Sequence, residues 1–401
     1  MSSQTIVSVL IPSLNEEKTI GSAVRSALEG IALANVPGEV IVIDSSNDGT
    51  RKMAEKCGAI VLTVPRRGLG RAYIDALPHV RGKYVIMGDA DCTYDFREIK
   101  QFIEKLDQGY DFVLGSRIKG IIEKGAMPPL HRYFGIPVTT WILNVLLRTK
   151  FSDIHRGLRA VTLTSLKKMN LKSQSWEYAS EMVVKNGLLR LNSAEIPIHF
   201  HKDREGRRSH HKRTGWFSPW QAGWINLKVM FLYAPNQMIV KPGFFFLALG
   251  LALILMQVNG PFTVGLITFS ASFMMLGLTF SVLGLSCIQM GFLAFTFSGL
   301  RDFCENRITK CLRQYFTYTK GMIMGSAFFL SGVVLASTLI FQWHSQNYKL
   351  AFIPWYVVLG ILMIIFGIQI ILFNLVYQTF LLTGTFTSDF GELTRKKDES
   401  L

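Results

Sequence analysis

Two hydrophobic patterns divide the chain. In the front part, short apolar runs alternate with stretches of helical period. Val7-Ser8-Val9-Leu10-Ile11-Pro12 predicts a strand, and a helix is expected from about Glu17 to Glu29. Glu39-Val40-Ile41-Val42-Ile43-Asp44 predicts a second strand, followed by the turn Ser45-Ser46-Asn47-Asp48-Gly49-Thr50 and another helix. Further strands are expected at 59–64 and at Tyr84-Val85-Ile86-Met87. Strands that alternate with helices predict an α/β domain with a mostly parallel sheet. In such sheets ligands bind beyond the carboxyl ends of the strands. Asn15, Glu16, Asp44, Asp48, Asp89 and Asp91 all fall just past predicted strand ends.

The back part is different. Residues 242–300 contain no Asp, Glu, Lys, Arg or His over 59 positions. One membrane helix needs only ~20 apolar residues, so this run is expected to cross more than once, turning at Asn259-Gly260-Pro261. Arg301, Arg307, Lys310, Arg313 and Lys320 follow. Basic loops stay on the cytoplasmic side, so a cytoplasmic front domain requires an even number of crossings before Arg301, taken as two. A third span fits 321–343. After a turn near 342–349, a second uncharged run occupies 350–388. The expected layout is a front domain over 1–235, then an all-α membrane domain over 236–390 with about four helices in two hairpins. Its spans are placed at about 240–258, 262–300, 321–343 and 352–386, with a cytoplasmic tail over 391–401. An Ile-Gln pair recurs at Ile288-Gln289 and Ile368-Gln369, as a repeated hairpin would require.

Charge sharpens this division. The 401 residues carry 43 Lys+Arg and 28 Asp+Glu, net +15. Of these, 33 basic and 22 acidic residues lie in 1–236, leaving 10 and 6 for the rest. Beside such long apolar runs, the positive balance points to an anionic membrane surface or a phosphorylated substrate rather than nucleic acid. Cys57, Cys92, Cys287, Cys304 and Cys311 form no CxxC pair, which fits a reducing compartment for the front domain. The run at Val7–Ile11 is too short for a secretory leader.

Candidate chemistry centres on Gly88-Asp89-Ala90-Asp91, directly after the Tyr84–Met87 run. Two carboxylates one residue apart on a turn can converge on a hard cation that also bridges phosphates. Asp95 is an alternative helix cap in Thr93-Tyr94-Asp95-Phe96. Asp203–Arg213 holds five Lys/Arg with His210 and His211, just ahead of Trp216, Trp220 and Trp224. Such a segment can close over a diphosphate or lie against anionic lipid. Arg66-Arg67-Gly68-Leu69-Gly70-Arg71 lacks the Walker lysine and the full dinucleotide fingerprint, so it is expected to abut a nucleotide rather than cradle phosphate. His155 is a candidate ligand or structural hydrogen-bonder, and Glu177 and Glu181 share a helical face. Leu130–Leu147, with Phe134, Trp141, Ile142 and Val145 beside His131, Arg132 and Arg148, suits an interfacial amphipathic helix over about 130–150 or a helix packed against the core domain, with another interfacial helix at about 215–235.

Several segments together carry a family resemblance. These are Ile11-Pro12-Ser13-Leu14-Asn15-Glu16-Glu17, Ile43-Asp44-Ser45-Ser46-Asn47-Asp48-Gly49-Thr50, Gly88-Asp89-Ala90-Asp91 and Gly115-Ser116-Arg117. The segments around Ser152–Ala160 and Trp176–Met182 extend it. The sequence resembles family 2 glycosyltransferases of the GT-A fold, and more narrowly the polyprenol-phosphate, dolichol-phosphate mannose synthase-like branch, over residues 5–235. The resemblance implies a nucleotide-sugar pocket lined by Pro12, Leu14, Glu16, Asp44, Asp89, Ala90 and Asp91. It also implies Mg2+ or Mn2+ on Asp89 and Asp91, chiefly Asp91. Arg117 and Arg132 would hold the acceptor lipid phosphate, and Asp89, Asp91 and Arg117 form the implied catalytic set. The branch's small hydroxyl residue four positions after the second arginine is replaced by Ile136, and its basic segment over the diphosphate corresponds to Arg207 and Arg208. The implied activity is metal-dependent, inverting sugar transfer from a UDP- or GDP-sugar to a polyprenyl phosphate. The enzyme would be multi-pass in the cell membrane with its catalytic domain in the cytoplasm, without nucleic-acid partners, and could form a homo-oligomer. Two other readings are a processive polysaccharide or glycolipid synthase and a non-catalytic membrane scaffold. The processive class carries Gln-x-x-Arg-Trp, and no Arg-Trp dipeptide occurs in this chain.

Overall fold

A computed structural model of the chain describes residues 5–147, 149–154, 157–202, 224, 228, 235–297, 316–345 and 354–398. It divides into two compact units, Met1–Ala234 and Pro235–Leu401.

In the first unit the chain runs through β1 (Val7–Ser13), α1 (Glu17–Leu33), β2 (Gly38–Asp44), α2 (Thr50–Lys56), β3 (Ile60–Thr63), α3 (Leu69–Ala76) and β4 (Tyr84–Met87). It continues through α4 (Ile99–Asp107), β5 (Phe112–Ile122), α5 (Ile136–Leu147), β6 (Arg159–Thr162), α6 (Leu163–Met169), α7 (Tyr178–Leu189) and β7 (Ser193–Phe200). The seven strands are ordered β3-β2-β1-β4-β6-β5-β7. β3, β2, β1 and β4 are mutually parallel, whereas β6 runs antiparallel between β4 and β5, and β7 closes the far edge parallel to β5. The sheet is therefore mixed. The apolar runs of β1, β2 and β4 are buried on both faces, as strands covered by helices on both sides must be. From β1 the chain winds outward to β2 and β3, then returns to place β4 on the other side of β1. That reversal opens a crevice between the loops that follow β1 and β4.

Helix α4 shows how the sequence builds this layer. Ile99, Phe102, Ile103 and Leu106 recur at helical spacing and are all buried. Asp95 accepts a hydrogen bond from Arg97 N at 3.0 Å and caps the short 3-10 turn Phe96–Glu98 that leads into the helix. Its carboxylate also meets Arg97 Nη2 at 2.7 Å. Burial pushes the Asp95 carboxyl up, but these hydrogen bonds and charge hold it below the ordinary range. Asp95 thus acts as a cap. Gly30 lets α1 approach the same turn, because a Cβ there would lie 2.1 Å from Phe96 O.

The second unit contains α8 (Lys241–Leu255), a hairpin of β8 (Phe262–Val264) and β9 (Ile267–Phe269), then α9 (Ala271–Phe297), α10 (Tyr318–Ser345) and α11 (Trp355–Asp398). Among the described residues, four helices are long and apolar enough to cross a membrane. The run 262–300 opens with the hairpin, and its helix starts only at Ala271, so part of its excess length lies in a β-hairpin. Helices α8 and α9 meet where Gly243 faces Gly284 and Gly250 faces Gly277. α10 and α11 meet where Gly325 faces Gly367 and Gly332 faces Gly360. Added Cβ atoms at these positions would fall within about 3 Å of the opposing backbone, the close approach that small residues permit between membrane helices. The glycine pattern registers the two hairpins as a repeat. By that register Gln369 matches Ser286, each two positions after its glycine, and Gln289 has a different counterpart. Gln369 Nε2 donates to Ser286 Oγ at 2.9 Å, so the matched positions join the two hairpins.

Candidate functional site

The loops that follow β1 and β2 are laced together by side chains. Ser13 and Asp44 end their strands in register. Buried Asp44 accepts from Ser13 Oγ at 2.9 Å and from Ser46 N at 3.3 Å. Asn15 adopts a left-handed φ of 56°, which asparagine tolerates. Its N–H donates to Ser46 Oγ at 2.7 Å, and its Oδ1 accepts from Asn47 N at 3.1 Å. Glu16 N donates to Thr50 Oγ1 at 2.9 Å, and Glu16 Oε2 accepts from Thr19 Oγ1 at 3.0 Å. Asp48 accepts from Thr50 N at 3.0 Å and from the Thr50 hydroxyl. Slight burial raises the Asp48 carboxyl, but the Thr50 hydrogen bonds hold it below its ordinary value. Pro12 is buried beneath this network and Leu14 is exposed at its rim. Pro12 and Asp44 therefore lie at the ends of β1 and β2, and Leu14 and Glu16 in the loop joined to the one after β2.

Across the crevice lies the turn after β4. Ala90 is buried with the hydrophobic core, whereas Asp89 and Asp91 on either side are half-buried. The alternation anchors the turn by its methyl group and leaves both carboxylates at the surface. Asp91 Oδ1 accepts from Thr93 N at 3.0 Å and from Thr93 Oγ1 at 2.6 Å, which fixes its orientation. Asp89 Oδ2 lies against the backbone of Gly157, where a Cβ would come within 2.0 Å of it. Gly157 N donates to Tyr94 Oη at 3.2 Å, so buried Tyr94 holds the segment that supports Asp89.

Below Asp89 lies a group of tyrosines and arginines. Tyr73 and Tyr178 pack in a tilted arrangement with centroids 4.8 Å apart, and Tyr73 Oη donates to Gly88 O at 3.4 Å. Arg159, fully buried, lies over the Tyr178 ring at 5.3 Å and donates to Ala179 O at 3.1 Å. Burial pushes Tyr94 up to about 12 against the opposing pull of Arg117, with Asp89 adding to the rise. Burial likewise pushes Tyr178 up to about 12 against Arg159. All three hydroxyls stay protonated at neutral pH and serve as hydrogen-bonding groups.

On the β5–β7 side, Arg117 and Asp153 form a buried bidentate pair, Nε to Oδ2 at 2.8 Å and Nη2 to Oδ1 at 3.0 Å. Burial disfavours the Arg117 charge, but Asp153 raises its pKa above the ordinary arginine value. The guanidinium also lies over the Phe200 ring at 5.1 Å, and Phe200 packs on Tyr94 at 5.4 Å. Arg117 thus connects to the Asp89–Asp91 turn through Tyr94. Ser116 and Ser152 share a hydrogen bond of 2.6 Å, and Glu195 Oε1 accepts from Ser152 N and Asp153 N at 2.8 and 3.3 Å. Arg132 sits on the turn His131–Gly135 ahead of α5, its guanidinium 5.4 Å from the Tyr133 ring. Ile136 is fully buried, facing the domain interior.

Other candidates resolve differently. Glu181 is fully buried, accepts from Lys172 N and Ser173 N at 2.8 Å each, and pairs with Lys185 at 2.6 Å. It is a structural clamp on the 170–175 loop. That loop explains the glycines of Arg66–Arg71, since Cβ atoms at Gly68 and Gly70 would each lie 2.3 Å from the carbonyls of Gln174 and Ser173. Gly68 also has a φ of 112°, which favours glycine. His155, Arg207, Arg208 and most of the 215–235 segment lie outside the described residues. Tyr94, Arg159, Asp153 and Gly157 were not assigned roles from sequence. An apolar strand containing a lone arginine, Arg159-Ala160-Val161, was the available signal for one of them.

Residues 8–169 match the family model described as Glycosyl transferase family 2, and residues 296–381 match the Glycosyltransferase family 2 C-terminal transmembrane region. A relative in Haloferax volcanii, the low-salt glycan biosynthesis hexosyltransferase Agl6, is 31% identical over 366 residues, covering 91% of this chain and 86% of the relative. The chain belongs to glycosyltransferase family 2. It is a hexosyltransferase-type glycosyltransferase with a GT-A-like domain followed by a multi-pass membrane region. A dolichyl-phosphate hexose transferase of the same organism is 28% identical over 202 residues, covering 50% of this chain and 84% of that one. Among solved structures, glucosyl-3-phosphoglycerate synthase from Mycobacterium tuberculosis in complex with Mn2+, uridine-diphosphate and glucosyl-3-phosphoglycerate is 22% identical with a TM-score of 0.43, over 56% of this chain and 77% of that one.

Proposed function

We propose that the protein transfers a hexose from a UDP- or GDP-sugar to a polyprenyl phosphate with inversion, using a divalent metal, at the cytoplasmic membrane face. The observation that carries this reading is the link, through Tyr94, between the Asp89–Asp91 turn and the buried Arg117–Asp153 pair. On this reading a carboxylate site for a metal-bound diphosphate and an arginine fork for a second phosphate are joined through Tyr94. The relative named as a dolichyl-phosphate hexose transferase supports a lipid phosphate as acceptor.

The donor set fits Mg2+ or Mn2+. Two half-buried carboxylates on an anchored turn offer hard oxygen ligands and leave coordination positions for diphosphate oxygens. Bound there, the ion would offset the charge that develops on the departing nucleoside diphosphate. Asp91 is held for this role by Thr93, and Asp89 by Gly157. Pro12, Leu14, Glu16 and Asp44 form the nucleotide side. Arg207 and Arg208, which the resemblance assigns to the donor diphosphate, complete this side in the proposal.

The acceptor needs no strong base, because a phosphate monoester has a second pKa of about 6 and is already anionic at neutral pH. Its oxygen forms a bond to the anomeric carbon as the bond from that carbon to the donor phosphate oxygen breaks. The electron pair leaves with the nucleoside diphosphate, and a single displacement inverts the centre. Arg117 and Arg132 would orient the attacking phosphate, with Asp153 fixing the Arg117 fork.

Helix α5 supplies a route to the lipid. Ile136, Thr140, Leu143 and Leu147 are buried, whereas Tyr133 and Trp141 are 73% and 66% exposed and align with Leu130, Phe134, Val138 and Val145. An apolar outer stripe beside Arg132 and Lys150 suits an anionic bilayer surface. The reading is tested by offering labelled nucleotide sugars, one at a time, to membranes containing the protein with polyprenyl phosphate and Mg2+ or Mn2+. Label in a monoglycosylated lipid is expected, whereas label in a growing polymer, or none in lipid with any donor, overturns it.

A further inference from the structure

We propose that Asn144 is a positioning residue that couples the bilayer-facing helix α5 to the Arg117–Asp153 pair, an inference that rests on the lipid-acceptor reading above. Asn144 lies in the last turn of α5, and its side chain reaches out of the helix. Its Nδ2 donates to Phe151 O at 2.7 Å, while its Oδ1 accepts from Phe151 N at 2.9 Å and from Thr149 Oγ1 at 2.9 Å. Both backbone groups of Phe151 are thereby tied to one side chain on the helix. The Phe151 ring is buried and packs edge-on against Phe112 of β5 at 6.5 Å.

The next two residues are Ser152 and Asp153. Their backbone amides are held by Glu195 of β7, the Ser152 hydroxyl by Ser116, and the Asp153 carboxylate by Arg117. A path of hydrogen bonds joined by two peptide links, Phe151-Ser152-Asp153, therefore runs from α5 to the guanidinium. The exposed stripe of α5 and the Asn144 clamp belong to one short rigid element, so a displacement of the helix at the bilayer moves Phe151 and, through it, Asp153.

Helix stability gives no reason for asparagine here. Alanine is the better intrinsic helix former, yet alanine at 144 would leave the amide and carbonyl of Phe151 without their side-chain partner. The clamp accounts for the residue. It also explains how the pair could sense the lipid surface without an extra loop.

The test uses the full chain in nanodiscs containing anionic lipid, with KM for polyprenyl phosphate, KM for the nucleotide sugar, kcat and the thermal midpoint measured together. Asn144→Ala is expected to raise the acceptor KM about tenfold, as a small misplacement of a binding group does, while the donor KM changes by less than about twofold. Asn144→Asp keeps both accepting interactions but sets a carboxylate oxygen against Phe151 O, and should raise the acceptor KM at least as far as Asn144→Ala. Thr149→Val removes one hydroxyl bond and should raise the acceptor KM by about two- to threefold in a protein that folds normally. Equal rises in both KM values with a lowered midpoint, or an unchanged acceptor KM, overturn the coupling while leaving the acceptor assignment intact. A wild-type protein that turns over without any dependence on polyprenyl phosphate overturns the acceptor assignment, and the coupling with it.

Discussion

At the carboxyl ends of β1, β2 and β4, the charged groups are carboxylates oriented by hydroxyls and backbone amides, and the pair Asp89–Asp91 stays half-buried. On the β5–β7 side the charges are Arg117 and Asp153, both buried and each neutralising the other. The first arrangement keeps negative charge available to a cation, because solvent and hydrogen-bond donors lower its cost without cancelling it. The second fixes a guanidinium plane at the expense of desolvation. One side of the candidate site thus leaves carboxylates accessible, and the other fixes a geometry.

The contrast can be broken at chosen points. Asp91→Asn should lower kcat by about a thousandfold, the scale of losing electrostatic stabilisation of a leaving group, with the protein still in the membrane and its thermal midpoint little changed. Transfer of labelled sugar in purified membranes gives the first quantity, and thermal unfolding the second. Gly157→Ala should cost about a hundredfold, because the new Cβ falls 2.0 Å from Asp89 Oδ2 and forces the carboxylate to move. A larger effect on kcat than on donor binding would place Asp89 at the reacting end of the donor.

Asp153→Ala should show the opposite balance. It leaves Arg117 charged and buried without its partner, at a cost of about 3 kcal/mol, seen as a fall in denaturant midpoint with or without substrate. Tyr94→Phe is the mildest change. It removes the acceptor of Gly157 N, and about 1 kcal/mol of stability with about a tenfold loss of kcat is expected. If it proved more damaging to turnover than Gly157→Ala, the link between the two sides would matter more than the position of Asp89.

The two sides also differ in how far the sequence revealed them. The β1–β4 side was legible because its carboxylates follow apolar runs that predict strands, and strand ends in an α/β sheet are where ligands bind. Asp44, Asp89 and Asp91 were found that way, and Ala90 took its meaning from being flanked by them. The β5–β7 side was not legible in the same way. Arg117 followed only from family resemblance, and its partner Asp153 lies 36 positions away with no local pattern to join them. Gly157 is informative only once Asp89 is seen above it. Tyr94 looked like part of a helix start, since nothing local shows that its hydroxyl meets a distant backbone amide. The antiparallel β6 escaped for a related reason, because alternation of strand and helix predicts parallel pairing and cannot register a strand inserted from a later segment. In the membrane unit, hydropathy located four helices, but helix pairing is set by glycine contacts. The matching Ile-Gln pairs pointed to a repeat in the wrong register, and the glycines that face each other gave the register instead.

The most direct test of the central claim is nucleoside diphosphate release from protein-containing membranes supplied with donor and divalent cation, measured with and without polyprenyl phosphate. Release is expected only with the lipid, in equal amount to the glycosylated lipid formed, and is expected to vanish in Asp91→Asn. Release at the same rate without lipid, or undiminished in Asp91→Asn, would contradict the account.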